Sequence, residues 1–180
     1  MNQIYRRLKK FREKYINTLA KLYDYATTVY SKKTYTQWYD TKDGSYTYAT
    51  FKSECDALSK VLTQYGIGAG DKVAILSTNM PNWSVAFFST VAFGRISIPI
   101  LPDSSENEVT NIINHSESKV LFVAKKMVAG LEKGKKSVNP SFLFTLSGVL
   151  FAVMPPIKAT YLALEKGKLK RFAEKIGKKL

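Results

Sequence analysis

The chain has 180 residues, enough for one domain of ordinary size with its own core, and its 28 Lys and Arg against 14 Asp and Glu give a net charge of +14. One cysteine excludes an internal disulfide and suits a reducing compartment, while a basic N-terminus with no continuous apolar run does not read as a secretory signal. The charge sits at the ends: residues 1–40 carry 9 basic and 3 acidic side chains, residues 41–124 carry 6 and 8, and residues 125–180 carry 13 and 3. A near-neutral middle between basic ends leaves nucleic acid, anionic lipid or plain solvation open for those ends.

From the N-terminus, Ile4, Leu8, Phe11, Tyr15, Leu19, Leu22 and Ala26 recur at steps of three and four, which predicts an amphipathic helix within residues 1–30. Arg6, Arg7, Lys9, Lys10, Arg12 and Lys14 occupy its other faces. Such a helix either lies on an anionic membrane or, as most amphipathic helices do, packs its stripe against its own domain and leaves a solvated basic face.

Residues 34–48 hold two Thr- and aromatic-rich runs around Asp43-Gly44, a pair suited to the positive φ of a tight turn, and predict a β-hairpin. Thr47 then suits an N-cap, Phe51, Cys55, Leu58, Leu62 and Tyr65 form one buried helical face, and Gly66 ends that helix. The glycines at 66, 68 and 70 follow a helix and precede a strand, the reverse of the order a dinucleotide fingerprint requires, so they read as a turn with Asp71 at the strand entry.

Three short apolar runs, Val73 to Leu76, Ile96 to Ile100 and Val120 to Val123, alternate with helical segments. This β-α-β-α-β order predicts an α/β fold with a parallel sheet and covering helices, because parallel strands need long crossovers. Asn79 or Met80 caps the first crossover helix, with Pro81 in its first turn and an apolar body over Trp83 to Phe93. Pro99 and Pro102 predict that the second strand ends near Pro99. Ser105 and Glu108 have capping-box spacing for the second crossover helix, which turns Val109, Ile112 and Ile113 inward and stops around His115.

Thr47-Tyr48 with Phe51, Gly70 to Ala74, Asn79 to Trp83, Phe93-Gly94 through Pro99, and Asn114 to Glu117 before Val120 to Val123 stand in a specific order and spacing. Together they make residues 46–123 resemble the N-terminal subdomain of the AMP-forming acyl-CoA synthetases, specifically the long-chain fatty acid–CoA ligases. That family uses ATP, Mg and CoA to turn a fatty acid into an acyl-adenylate and then an acyl-CoA. The resemblance also implies a Ser/Thr/Gly-rich phosphate loop ending in Lys after the third strand. Here Ala124 instead runs into Lys125-Lys126-Met127 and Gly130 to Lys136, so the expected chain is a truncated or internally deleted copy that binds no cofactor and does not turn over.

Past this point, Phe142 to Met154 is a dense apolar stretch of 13 residues before Pro155-Pro156, shorter than the roughly 20 a membrane span needs, and reads as a buried or membrane-dipping hairpin. Residues 166–179 predict a basic helix with Leu169, Phe172, Ala173 and Ile176 on one face, suited to anionic lipid or to solvent. The expected division is 1–30, 31–124 and 125–180.

No catalytic, cofactor-binding or metal residue is assigned. His115 beside Ser116 invites a nucleophile–base pair, but adjacent helical residues do not face one another. Cys55 lies on an apolar stripe with no second ligand at metal spacing, and Asp103, Glu106 and Glu108 suit a helix dipole. A cytoplasmic protein follows, with peripheral membrane association or a protein-interaction role for the basic ends as the alternative to the ligase reading; nucleic acid is not expected, for want of a recognised module.

Overall fold

The computed structural model describes residues 3–37, 45–124, 127, 142–146 and 153–154. The elements run α1 (Gln3–Tyr15), α2 (Leu19–Val29), β1 (Thr34–Thr36), β2 (Tyr46–Thr47), α3 (Tyr48–Gln64), β3 (Lys72–Leu76), α4 (Pro81–Val91), β4 (Ile96–Ile100), α5 (Glu106–Ser116), β5 (Val120–Ala124), β6 (Phe142–Leu146) and β7 (Val153–Met154). The strands β1 and β2 pair antiparallel, as the hairpin reading requires; its Asp43-Gly44 turn lies outside the described residues. The main sheet has the order β4-β3-β5-β6-β7, parallel from β4 to β6 and antiparallel at β7.

Strands β3 and β5 are buried on both faces, which explains their unbroken apolar sequences. Because side chains alternate across a strand, Val73, Ile75, Val120 and Phe122 join the core under α3 and α4. Their neighbours Ala74, Leu76, Leu121 and Val123 meet Val109 and Ile113 of α5 on the other side. Local caps agree with this layering. Thr47 and Thr50 form a reciprocal capping box at α3, Ser105 and Glu108 form one at α5, and Pro81 opens α4 behind Met80. Gly66, at φ 75°, ends α3 in the left-handed region that glycine enters without strain.

Two expectations need correction. The N-terminal stripe is not one helix: the chain bends at residues 16–18, and Thr18 caps α2 by accepting from the Lys21 N–H at 3.1 Å. Helix α1 buries no residue, so its stripe does not pack into the domain, and α2 turns Tyr23 and Thr27 inward in place of Leu19 and Leu22. The reason is the aromatic surface that α2 meets, where Tyr23 packs against Phe51, Phe88 and Phe93 while its hydroxyl donates to Asp56 at 3.0 Å. Next, β4 continues through Pro99 to Ile100, paired to Ile75 and Leu76. It is an edge of the described sheet, where a residue without an N–H is tolerated. The hairpin reading of residues 142–154 agrees with the antiparallel pair Phe142–Leu146 and Val153–Met154, and the structure adds that the first of these strands runs parallel to β5 and so extends the sheet. Among the described residues no helix is long and apolar enough to cross a membrane. The basic residues 166–179 lie outside the described residues.

Two polar contacts lock the crossovers to the sheet. Arg95, 6% exposed, donates from Nε to the Ile67 carbonyl at 3.0 Å, from Nη1 to Ser59 Oγ at 2.9 Å and the Ser89 carbonyl at 3.1 Å, and from Nη2 to the Ser59 carbonyl at 3.1 Å and Thr63 Oγ1 at 2.7 Å. All five N–H groups of the guanidinium are thereby used on neutral acceptors. Burial lowers its pKa and the nearby charge of Asp71 opposes that, yet an arginine remains charged at any physiological pH. At the start of β3, Asp71 accepts from the Gly68 N–H at 2.7 Å and pairs with Lys119 Nζ at 2.6 Å, which joins the entries of β3 and β5.

Replacing Arg95 by Met removes the guanidinium donor from the buried Ile67 and Ser89 carbonyls, and unfolding in urea is expected to show a loss of about 2–4 kcal/mol. Lys at the same position keeps the charge but cannot reach all five acceptors, and it too is expected to destabilise. For Asp71 the hydrogen bonds from Lys119 and Gly68 hold the folded carboxyl below its usual 3.8. A depressed folded pKa contributes stability above the unfolded value that is lost as pH falls through the folded one. The stability difference between wild type and Asp71→Asn is therefore expected at neutral pH and to shrink below about pH 4, as read by thermal unfolding across pH.

Candidate functional site

In an open parallel sheet, ligands bind outside the carboxyl ends of the strands, where neighbouring connections leave in opposite directions. Here the chain leaves β3 through α4 to β4 on one side, then crosses through α5 to β5 on the other side of β3. The helices lie on opposite faces of the sheet, α4 with one core and α5 with the other. The divergence therefore falls between the carboxyl ends of β3 and β5.

The wall that follows β3 is Ser77 to Asn82. Ser77 is buried and its hydroxyl donates to the Thr78 carbonyl at 2.9 Å, while Asn79 is exposed. Met80 caps α4 without a side-chain hydrogen bond, and Ser84 donates to the Pro81 carbonyl at 2.7 Å. Asn82 is held from outside the helix, because buried Tyr46 donates its hydroxyl to Asn82 Oδ1 at 3.0 Å. Burial raises the Tyr46 phenol well above its usual range, so it is a donor at any working pH. This wall is polar and carries no ionisable side chain between residues 77 and 82. It can position a ligand by hydrogen bonds but offers neither an acid nor a base. The opposite wall would follow β5, where residues 125–126 and 128–141 lie outside the described residues.

The residues weighed from the sequence lie elsewhere. His115 is exposed near the end of α5, and the Ser116 hydroxyl donates to the Ile113 carbonyl at 3.2 Å and lies 2.7 Å from Ser118 Oγ. No hydrogen bond joins His115 to Ser116 among the described residues. Cys55 is fully buried with its thiol 3.8 Å from the Val85 carbonyl, and burial pushes its pKa well up, so it packs as a neutral thiol. Among the described residues no three His, Cys, Asp or Glu are grouped to hold a metal. Glu108 is used by its cap: the Ser105 N–H and hydroxyl donate to Oε2 at 2.7 and 2.8 Å and lower its pKa. Asp103 and Glu106 are exposed beside it.

An open groove of about 600 Å³ crosses the outer face of α3, lined by Lys52, Asp56, Ser59, Lys60, Thr63 and neighbours. It adjoins the segments leading into β3 and β4, away from the strand ends where ligands bind in this topology. Four of its polar residues are engaged: Lys52 pairs with Asp56 at 3.3 Å, and Ser59 and Thr63 accept from Arg95. Sequence reasoning assigned no role to Arg95 or to the Tyr46–Asn82 pair. A lone Arg after Gly94, at the head of an apolar strand, was the available signal for the first; the second joins residues 36 positions apart and has no local signature.

The sequence model of the AMP-binding enzyme family matches residues 24–153. Among curated proteins, long chain acyl-CoA synthetase 2 of Arabidopsis thaliana is 30% identical over 103 residues, covering 56% of this chain and 16% of that protein. A 4-hydroxybutyrate–CoA ligase of Metallosphaera sedula is 29% identical over 102 residues, covering 57% and 19%. The chain thus spans less than a fifth of the length of these relatives. Among solved structures, the anthranilate CoA ligase AuaEII in complex with anthranoyl-AMP superposes with a TM-score of 0.66 at 20% identity, over 73% of this chain and 25% of that one. At that identity the superposition speaks for the fold alone. The crossover order, the Asn79 to Trp83 turn and the family match over most of its length agree: the chain belongs to the AMP-binding enzyme family.

Proposed function

We propose that this chain is the N-terminal scaffold of a long-chain fatty acid–CoA ligase and does not by itself catalyse acyl-adenylate or acyl-CoA formation. The observation that carries the reading is the family match over residues 24–153, together with relatives that include a long chain acyl-CoA synthetase. In the full-length family, ATP, Mg and CoA supply the activation and acceptor chemistry. The described residues do not fit those groups. The glycines at 66 and 70 make the turn into β3, no acidic cluster awaits a metal, and the wall at residues 77–82 lacks a cation for phosphates. After β5 the sequence Lys125-Lys126-Met127 and onward is not a Ser/Thr/Gly-rich run of the kind that cradles a triphosphate through backbone donors.

In this reading residues 31–124 carry most of the scaffold, α2 and the strands β6 and β7 add to it from either side, and what remains of 1–30 and 125–180 forms basic flanks. A cytoplasmic setting suits the single, buried and reduced Cys55. The second reading, a module that brings its basic ends to an anionic membrane or a protein partner, is favoured by one observation, that α1 buries none of its residues. Nucleic acid fits less well, because the cations lie at the ends and no recognised nucleic-acid module accompanies them.

Incubating the purified chain with a long-chain fatty acid, ATP, Mg and CoA, followed by mass spectrometry, is expected to yield no acyl-AMP and no acyl-CoA. Appearance of either product above a boiled control would overturn the assignment of inactivity.

A further inference from the structure

Helix α1 carries six cationic side chains, Arg6, Arg7, Lys9, Lys10, Arg12 and Lys14, against Glu13 alone. Their arrangement is ordered. At 100° per residue, Ile4, Leu8, Phe11 and Tyr15 fall on one narrow stripe, Arg7 and Lys14 border it on one side, Arg12 borders it on the other, and Arg6, Lys9 and Lys10 lie opposite. The stripe is open to solvent, with Ile4 63% and Leu8 61% exposed. Its C-terminal end leans on the domain, where Phe11 meets the Tyr25 ring edge-on at 5.3 Å and Tyr15 lies 6.3 Å from the same ring. These aromatic contacts set how α1 leaves α2 without covering Ile4 and Leu8.

We infer that α1 is an in-plane membrane helix, its Ile4–Tyr15 stripe entering the acyl boundary of an anionic bilayer and its bordering Arg7, Arg12 and Lys14 reaching the headgroups. Charge complementarity selects this occupant. A second copy would bring an equally cationic helix and be repelled, and a neutral apolar groove has no use for cations on both borders of the stripe. Long basic side chains beside an apolar stripe suit a bilayer surface, since their stems cover apolar area while their charges stay at headgroup level. With 13 residues the helix cannot span the bilayer and lies along it. The inference rests on the second reading above, that the basic ends seek an anionic surface, and assigns that contact to one helix.

Flotation of the full chain with vesicles of phosphatidylcholine alone, and of equal parts phosphatidylcholine and phosphatidylserine, tests it. Expected is binding to the phosphatidylserine vesicles that falls steeply with added salt, and a loss of about tenfold or more in Ile4→Glu/Leu8→Glu and in Arg7→Glu/Arg12→Glu. None of these four residues is buried, so near-ultraviolet circular dichroism should be unchanged. Binding that survives in both variants would overturn the assignment to α1 while leaving the basic ends as the membrane contact. Absence of binding by the wild type to either vesicle would remove both the inference and the reading beneath it. A sedimenting dimer that Ile4→Glu/Leu8→Glu dissolves would give the stripe to a second copy and overturn the bilayer proposal.

Discussion

The buried guanidinium of Arg95 joins three parts of the chain that do not touch through sequence: the last turns of α3 at Ser59 and Thr63, the turn at Ile67, and the end of α4 at Ser89. A buried charge without a carboxylate partner is costly to desolvate, and it is held here because every N–H finds an acceptor. One acceptor, the Ser89 carbonyl, is among the last four of α4, which need donors in any case. With α3, α4 and the entry to β4 fixed to one another, the first crossover can take only one position over the sheet. The adjoining backbone supports the same junction, with the Gly70 N–H donating to the Gly94 carbonyl and the Ile96 N–H to the Asp71 carbonyl, both at 2.9 Å.

That junction governs where a ligand could bind. It lies at the amino ends of the strands, and its rigidity leaves the opposite, carboxyl ends to the loops after β3 and β5. The described wall there, from Ser77 to Asn82, is positioned by the buried Tyr46 hydroxyl and is chemically mild. This scaffold places hydrogen-bonding groups at the crevice without supplying reactive ones. The groove on α3 has the volume of a ligand site but not its placement. Topology decides against it.

The N-terminal region follows a different rule. Helix α2 belongs to the domain through Tyr23, which sits among Phe51, Phe88 and Phe93 and reaches Asp56, whereas α1 is attached mainly by rings at its C-terminal end. Periodicity found a single amphipathic stripe across both helices. It could not say that Thr18 would cap a new helix, nor that the second helix would rotate a tyrosine inward past the leucines of the stripe.

Local chemistry was enough for most of the architecture. The β-branched runs of β3 and β5, the capping residues Thr47, Met80 and Ser105, and the glycine at 66 each act within a few positions along the chain, so the β-α-β-α-β unit and the family resemblance were legible in the sequence. The same reading placed the glycine run in a turn between helix and strand, because the order of elements around it is itself sequential. What only the tertiary structure decided depends on partners far apart: Pro99 kept in a strand because β4 is an edge, Phe142–Leu146 recruited beside β5, the Tyr46–Asn82 bond at the crevice wall, and the five acceptors of Arg95. A strand's neighbours and a buried donor's acceptors are set by closure of the chain, and no local pattern encodes them.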